Sequence, residues 1–378
     1  MSEIKEHISL APYTTFRIGG PARFFARAKS VDDIRTALSF ARERSLPFFV
    51  LGGGSNILID DAGFNGIVIK IEIPGVEQEK DTVAAGADPH TKLHVAKGGI
   101  SGEQLKGIQT TGLDTFLPAK SLQNHDVQLS VGAGESWDAL AAYAVRRGLF
   151  GIENLSGIPG SAGAAPVQNI GAYGAELQDS LLRVEVLDAE SGELKNFSRD
   201  ECGFGYRTSL FKKNPGRFII TRITLGLSHS GVPDISYRDL AERFAGHPAP
   251  SLAEVREAVL AIRARKFPDL SKEGTAGSFF LNPVVSKDTA DGLAKRFPGL
   301  PVFGAAGGVK ISLAYVLDRG LNLKGLSHGG ARLYEKQPLV VVARRGASAA
   351  EVRALAEEVR ARVREAAGIE LAPEVRII

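Results

Sequence analysis

The sequence predicts a mixed α/β and α+β protein of two or three domains, and three observations carry that reading. A chain of 378 residues exceeds what one ordinary core encloses. Residues 16–71 alternate short apolar, strand-like patches with one helical segment over brief connections. The 43 glycines gather into a few short runs, which mark turns where main chain approaches a ligand or itself.

Composition narrows the class. Hydrophobic residues make up 44% and charged residues 24%, without charge blocks or low-complexity tracts, so the chain reads as soluble and globular rather than disordered. A net charge of +3 spread along the chain gives no nucleic-acid footprint and leaves small anionic ligands open. One cysteine, Cys202, excludes an internal disulfide framework and a cysteine-based metal cluster within one chain. The first residues carry acids and no apolar core of signal-peptide length, and no stretch approaches the roughly 18 apolar residues of a membrane span. The expectation is a cytoplasmic monomer with no membrane insertion, no nucleic-acid partner and no metal.

Along the chain, an apolar patch at Phe24–Ala26 precedes a helix over Val31–Arg44, whose Asp32 and Asp33 suit the positive end of a helix dipole. A strand at Pro47–Leu51 runs into Gly52-Gly-Gly-Ser-Asn56, and strands at Ile57–Ile59 and Ile67–Ile71 flank the turn at Asp60–Gly66. Residues 93–117 and 129–155 share a faint pattern at offsets of 35 or 36, read equally well as a duplication or as a common strand, helix and Gly-Leu phrase. Ser228–Asp234 reads as a linker, 240–266 as helix, Gly277–Leu281 as strand and Asp288–Arg296 as helix. Pro338–Ala343 reads as a buried strand, Ser348–Ala367 as an amphipathic helix with Val352, Leu355, Val359 and Val363 on one face, and Glu370–Ile378 as a final strand.

Familiar chemical signatures are absent: there is no GxGxxG, Walker A, HExxH or GxSxG, and no pair of histidines at metal spacing. The run Gly52-Gly-Gly-Ser-Asn56 after a strand offers consecutive N–H groups to an anion, or is a plain tight turn. The second run, Glu153–Gly174, has five glycines, few large side chains, and Gln168, Asn169 and Tyr173; it suits a large flat ligand lying on bare backbone, or close packing of the chain on itself.

Both runs, together with Thr15-Phe16 and Gly19-Gly20, Cys202-Gly-Phe-Gly-Tyr-Arg-Thr-Ser-Leu-Phe-Lys212, Gly277-Ser-Phe-Phe-Leu-Asn-Pro283 and Pro373-Glu-Val-Arg376, resemble the UDP-N-acetylenolpyruvoylglucosamine reductase family. The motifs occur in register over almost the whole chain except about residues 76–127, and Tyr237 in Ile-Ser-Tyr-Arg-Asp resembles the subclass with a tyrosine-bearing loop on its substrate domain. The resemblance implies an FAD-binding domain of the vanillyl-alcohol-oxidase (PCMH) type in two lobes, residues 1–72 and 73–227 with an atypical insertion at about 76–127. A C-terminal α+β substrate-binding domain, 228–368, and a strand returning to the active site, 369–378, would complete it.

It also implies a reaction and its residues. NADPH would reduce FAD and leave, and UDP-N-acetylglucosamine enolpyruvate would enter the same site. Hydride would then pass to carbon 3 and a proton to carbon 2, giving the muramic acid precursor of peptidoglycan. By likeness, Gly52, Gly53, Gly54, Ser55 and Asn56 hold the flavin pyrophosphate, and Ile158, Pro159, Gly160, Ile170, Gly171, Tyr173 and Arg376 complete the cofactor site. Arg207 matches the arginine that pairs with the substrate carboxylate, where its planar fork suits a bidentate contact. Glu374 matches the acid that shares in stabilising the enolic intermediate, and Ser278 the donor of the proton. Tyr237, Lys266, Asn282 and Gln337 match contacts to the UDP diphosphate and nearby groups.

Strand alternation is expected to place Ser278 with Asn282, and Glu374 with Arg376, on polar faces turned to a site or to water, opposite Phe279, Leu281, Val375 and Ile377. The family has hydroxyl residues where this chain has Ala164-Ala165, a departure that costs one or two flavin hydrogen bonds of about 0.5–1.5 kcal/mol each. That departure keeps two other readings in view: a different flavin oxidoreductase on the same scaffold, and a flavin-less sugar-nucleotide sensor.

Overall fold

The computed structural model describes residues 3–79, 125–247, 249–305 and 307–378. The first copy of the internal similarity, at 93–117, and most of the expected insertion lie outside the described residues.

The N-terminal sheet takes the order Ile4–Ser9, Pro21–Ala28, Phe64–Ile71, Phe48–Leu51. Its last two pairs are parallel, which requires a crossover, and the helix Val31–Glu43 supplies it. Ser30 and Asp33 close a capping box at the start of that helix, and Ile34, Ala37, Leu38 and Ala41 form its buried stripe. A second, wholly antiparallel sheet runs Leu194–Ser198, Leu181–Asp188, Phe218–Leu227, Val127–Gly132, Val76–Glu79, with the helix Trp137–Arg146 following its fourth strand. One continuous core joins the two sheets: Ile34, Leu38, Ile67 and Ile69 belong to the same cluster as Leu129, Val131, Trp137, Val184 and Ile223. The two halves therefore cannot shift independently without opening close-packed interior.

A third sheet, Gly274–Ser278, Gln337–Ala343, Ala331–Tyr334, Ser327–His328, is joined in a second core by the helix Ala349–Ala367. Val352, Leu355, Val359 and Val363 are buried there, on the face that the sequence pattern predicts.

Three expectations change. The helix expected over 240–266 is two helices, Arg238–Arg243 and Leu252–Lys266. Gly246 at φ +83° turns the chain between them, Pro250 lacks the N–H that would continue a helix, and Ser251 restarts one with a capping box to Glu254. These helices share a small core with Tyr173 of the second glycine-rich run.

The strand expected over Gly277–Leu281 instead spans Gly274–Ser278, and alternation stops there, since the adjacent Phe279 and Phe280 are 1% and 2% exposed. Gly277 at φ +79° and a register shift between Thr275 and Ser278 kink the strand. Beyond the kink Phe279 N–H still donates to the neighbouring strand, to the Leu339 carbonyl at 2.8 Å, and the chain then turns to the tail, where Leu281 N–H donates to the Ala372 carbonyl at 3.0 Å. The final strand shrinks to Arg376–Ile377, paired in parallel with Ile57–Leu58. Val375 is buried as expected, but Ile377 is 42% exposed, because a two-stranded ribbon leaves a face open to solvent.

Phe279 anchors the kink in the second core. Phe279→Ala should cost about 3–5 kcal/mol in urea-induced unfolding. A loss below about 1 kcal/mol would mean that the ring does not hold the strand end.

Candidate active site

The cores meet along a cleft of about 1130 Å3. Its walls are the loop after Phe48–Leu51, the second glycine-rich run, the end of the helix Leu252–Lys266, the kinked strand, and the tail at 373–376. Every site residue expected from sequence lines it except Asn282, whose side-chain oxygen instead accepts the Leu313 N–H at 3.0 Å.

The first loop has an asymmetric hydrogen-bond pattern. Its carbonyls are tied back into the protein: Gly52 O accepts from Lys70 Nζ at 2.8 Å, Gly54 O from Thr15 N–H at 3.0 Å, and Asn56 O from Arg376 N–H at 3.1 Å. The N–H groups of Gly52, Gly53, Gly54, Ser55 and Asn56 have no acceptor among the described residues. Consecutive main-chain donors left over beside a cleft form an anion nest. Glycine is required on steric grounds too: a Cβ on Gly54, at φ +63°, would lie 2.0 Å from Tyr13 O, and one on Gly53 would lie 2.5 Å from Gly160 Cα.

That last contact brings the two glycine-rich runs together. The chain does pack on itself, since a Cβ on Gly163 would meet Ala133 Cβ at 2.5 Å. It also faces the cleft with Ile158, Pro159, Gly160, Ala164, Ala165, Ile170 and Gly171, and with Ser161, whose buried hydroxyl has no partner among the described residues. Tyr173, at φ +51°, is held through its carbonyl by Asn154 Nδ2 at 2.8 Å; burial pushes its phenol up to about 12. Its ring meets Tyr237 edge to face at 5.5 Å.

The charged centre stands where the tail crosses the cleft. Arg207 occupies a tight turn closed by mutual hydrogen bonds between Gly205 and Thr208, with φ +53°, a strained value for a residue with a side chain. Lys212 Nζ holds the Arg207 carbonyl at 3.0 Å, and Arg207 Nη2 donates to Gly171 O at 3.0 Å. Arg207 Nε lies 2.9 Å from Glu374 Oε1, an ion pair that is not aligned as a hydrogen bond. Burial raises the pKa of Glu374 above the ordinary carboxylate range, against the pull of Arg207 and Lys212. Glu374 N–H donates to Phe279 O at 2.8 Å, so Ser278 stands one residue from a direct main-chain link to Glu374.

The remaining residues divide. Gln337 presents a buried side-chain oxygen without a donor among the described residues, and Arg376 lies over the Phe49 ring at 5.0 Å. Lys266 is engaged with Asp239 at 2.6 Å. Sequence reasoning missed Lys212, although it sits in the arginine motif, and gave no role to Gln168 of the second run, whose Oε1 accepts from Asn56 Nδ2 at 2.5 Å. It also missed Arg263, which lines the cleft beside Tyr173. Lys70 carried a signal, as the lone charge within the apolar run Ile67-Val-Ile-Lys-Ile71.

Comparison with known proteins bears on what the cleft holds. Residues 269–378 match the model of the UDP-N-acetylenolpyruvoylglucosamine reductase C-terminal domain, and 22–106 and 91–198 match that of an FAD binding domain. The UDP-N-acetylenolpyruvoylglucosamine reductase of Ralstonia nicotianae is 37% identical over 382 residues, covering 100% of both chains. The chain belongs to the UDP-N-acetylenolpyruvoylglucosamine reductase family. The Pseudomonas aeruginosa reductase is 38% identical over 375 residues and 98% of each chain. The Thermus caldophilus reductase structure superposes with a TM-score of 0.62 at 23% identity, over 100% of this chain and 99% of that one, which supports the fold. The fold is thus an FAD-binding domain of the PCMH type followed by the family's C-terminal domain.

The residues present fit FAD. Five free N–H groups and the unpartnered Ser161 hydroxyl are donors suited to phosphate oxygens and flavin carbonyls, and the side-chain-free glycines leave room for a flat ring system.

Glu374 makes a pH test. An acid whose folded pKa is raised contributes its full stability below its unfolded pKa and loses it as pH rises through the folded pKa. Glu374→Gln removes that loss, so the urea midpoint of the variant relative to the parent should climb as pH rises from the ordinary carboxylate pKa through the raised one. A relative midpoint that falls with pH would show that Arg207 outweighs burial.

Proposed function

We propose that the chain catalyses the NADPH-dependent reduction of UDP-N-acetylglucosamine enolpyruvate to UDP-N-acetylmuramate in the cytoplasm, supplying a peptidoglycan precursor. The observation that carries this reading is the joining of Arg207, Glu374 and Ser278 on the wall of the cleft that holds the anion nest. Among the described residues no helix is long and apolar enough to cross a membrane. Bound FAD supplies the means to take hydride from NADPH and deliver it to carbon 3 of the enolpyruvyl group.

The protein's part is binding, charge stabilisation and proton supply. The N–H groups of Gly52–Asn56 hold the pyrophosphate of the cofactor, and the second run supports its ring. Arg207 binds the enolpyruvyl carboxylate, on which negative charge builds as hydride arrives; its guanidinium is fixed by Gly171 O and Glu374 before substrate enters, so little reorganisation is needed. Burial favours the protonated form of Glu374, which can then donate to that same oxygen-rich group. Ser278 delivers the proton to carbon 2. A serine hydroxyl is a weak acid, so this step needs a strongly basic intermediate and exclusion of water, and Tyr237 at the rim is placed to cover the cleft over the UDP. Gln337 Oε1 offers an acceptor to a donor on the sugar nucleotide, while Lys266 reaches its diphosphate by sharing its charge with Asp239. Asn282 takes no direct part in this reading, because its oxygen is committed to Leu313. The free N–H groups also weigh against the flavin-less sensor, which would have no use for a second anion site beside the sugar nucleotide.

Under anaerobic conditions the flavin absorbance should bleach with NADPH and return on addition of the enolpyruvyl sugar nucleotide. A protein that stays colourless with added FAD would overturn the reading. In Ser278→Ala, bleaching by NADPH should remain within about twofold of the parent, while the return should slow by at least about 100-fold, the scale of a lost general acid. An equal fall in both half-reactions would remove Ser278 from the role of proton donor.

A further inference from the structure

We infer that Lys70 sets the polarity of the anion nest, holding the Gly52 carbonyl away from the cleft and placing a positive charge behind the loop for the cofactor diphosphate. Lys70 is the penultimate residue of the strand Phe64–Ile71, paired across from Leu51, the last residue before the glycine run. Its ammonium donates to Gly52 O at 2.8 Å and approaches Ile71 O at 3.5 Å. It is not itself among the residues that line the cleft, whereas Gly52 is, so it acts through the loop.

Two features separate this lysine from an ordinary clamp on a turn. It has no carboxylate within ion-pair distance among the described residues, and the acid whose charge acts on it, Glu72, is paired with Arg27 at 3.6 Å. Burial lowers its pKa, the mark of an ammonium removed from water without a full counter-charge. The loop above it leaves five consecutive donors free, while three of its carbonyls are held from behind or from the side by Lys70, Thr15 and Arg376. A carbonyl swung toward the cleft would repel a phosphate. The Thr15 and Arg376 bonds come from main-chain N–H groups and carry no net charge, so Lys70 is the member of the three that adds both a donor and a unit of charge. A diphosphate in the nest would supply the counter-charge that Lys70 lacks.

The inference rests on the FAD reading, and the test separates the two. Apoprotein of the parent, Lys70→Met and Lys70→Arg would be titrated with FAD by flavin fluorescence at several salt concentrations, and the thermal midpoint of each apoprotein recorded. The parent should bind FAD. Lys70→Met should bind it at least about tenfold more weakly and with a shallower salt dependence, while Lys70→Arg, which keeps charge and donor, stays within about threefold. The apoprotein midpoints should agree within a few degrees. A parent that fails to bind FAD overturns the cofactor reading itself. A parent that binds, with Lys70→Met matching it in affinity and salt dependence, overturns the role of Lys70 alone. So does a loss of affinity equal in both variants or matched by a fall in the Lys70→Met apoprotein midpoint, since either would reduce Lys70 to packing.

Discussion

Main-chain donors and acceptors need partners, and the glycine loop after Leu51 meets that need from within the protein on one side only. Its carbonyls are tied to Lys70, Thr15 and Arg376, while its N–H groups have no acceptor among the described residues. Four of the five residues that carry those donors are only half-buried and all five line the cleft, so the donors face whatever occupies it. The loop can persist only because everything around it fixes its path: a parallel strand pair beneath, a second glycine turn against it, and the chain terminus alongside. A ligand that binds the folded loop and not the unfolded chain adds to stability, which makes anion binding and local stability two aspects of one constraint.

The tail is what joins this loop to the chemistry. Residues 372–378 bond on one side to Phe279 and Leu281 of the C-terminal sheet, and on the other to Asn56 and Leu58 of the first lobe. Asn56 Nδ2 also donates to Glu374 O at 3.1 Å. Glu374 thereby sits at the crossing of three elements, close to Arg207 through the ion pair and to Ser278 through the Phe279 carbonyl. Positive φ at Arg207 and Tyr173 marks the same neighbourhood as one where backbone strain is held in place by tertiary contacts.

Much of the regular structure was legible in the chain. The helix Val31–Glu43, the strand before the glycine loop and the C-terminal helix with its valine and leucine face follow from periodicity and capping. Where periodicity failed, a local device had overridden it: Gly277 kinked the strand at Ser278, and Gly246 with Pro250 divided a helix. The resemblance of separate motifs placed nearly all the site residues on the cleft, because motifs of that kind record contacts to a shared ligand. Asn282 fell outside, since it lies beyond the kink at Gly277, where alternation no longer holds and its side-chain oxygen accepts the Leu313 N–H.

By itself the sequence determined the fold class, the glycine loops as places of close approach, and the residue types needed for an anion site and a proton transfer. Those depend on local sterics and side-chain chemistry, which each residue carries with it. The tertiary structure decided the rest: which carbonyls are consumed and which N–H groups stay free, that Glu374 is buried against Arg207, that Lys266 is engaged by Asp239, and that Lys70 stands behind the loop without a counter-ion among the described residues. Each of these is a relation between segments distant in the chain, and electrostatics and hydrogen bonding are set by distance in space, which sequence order does not encode.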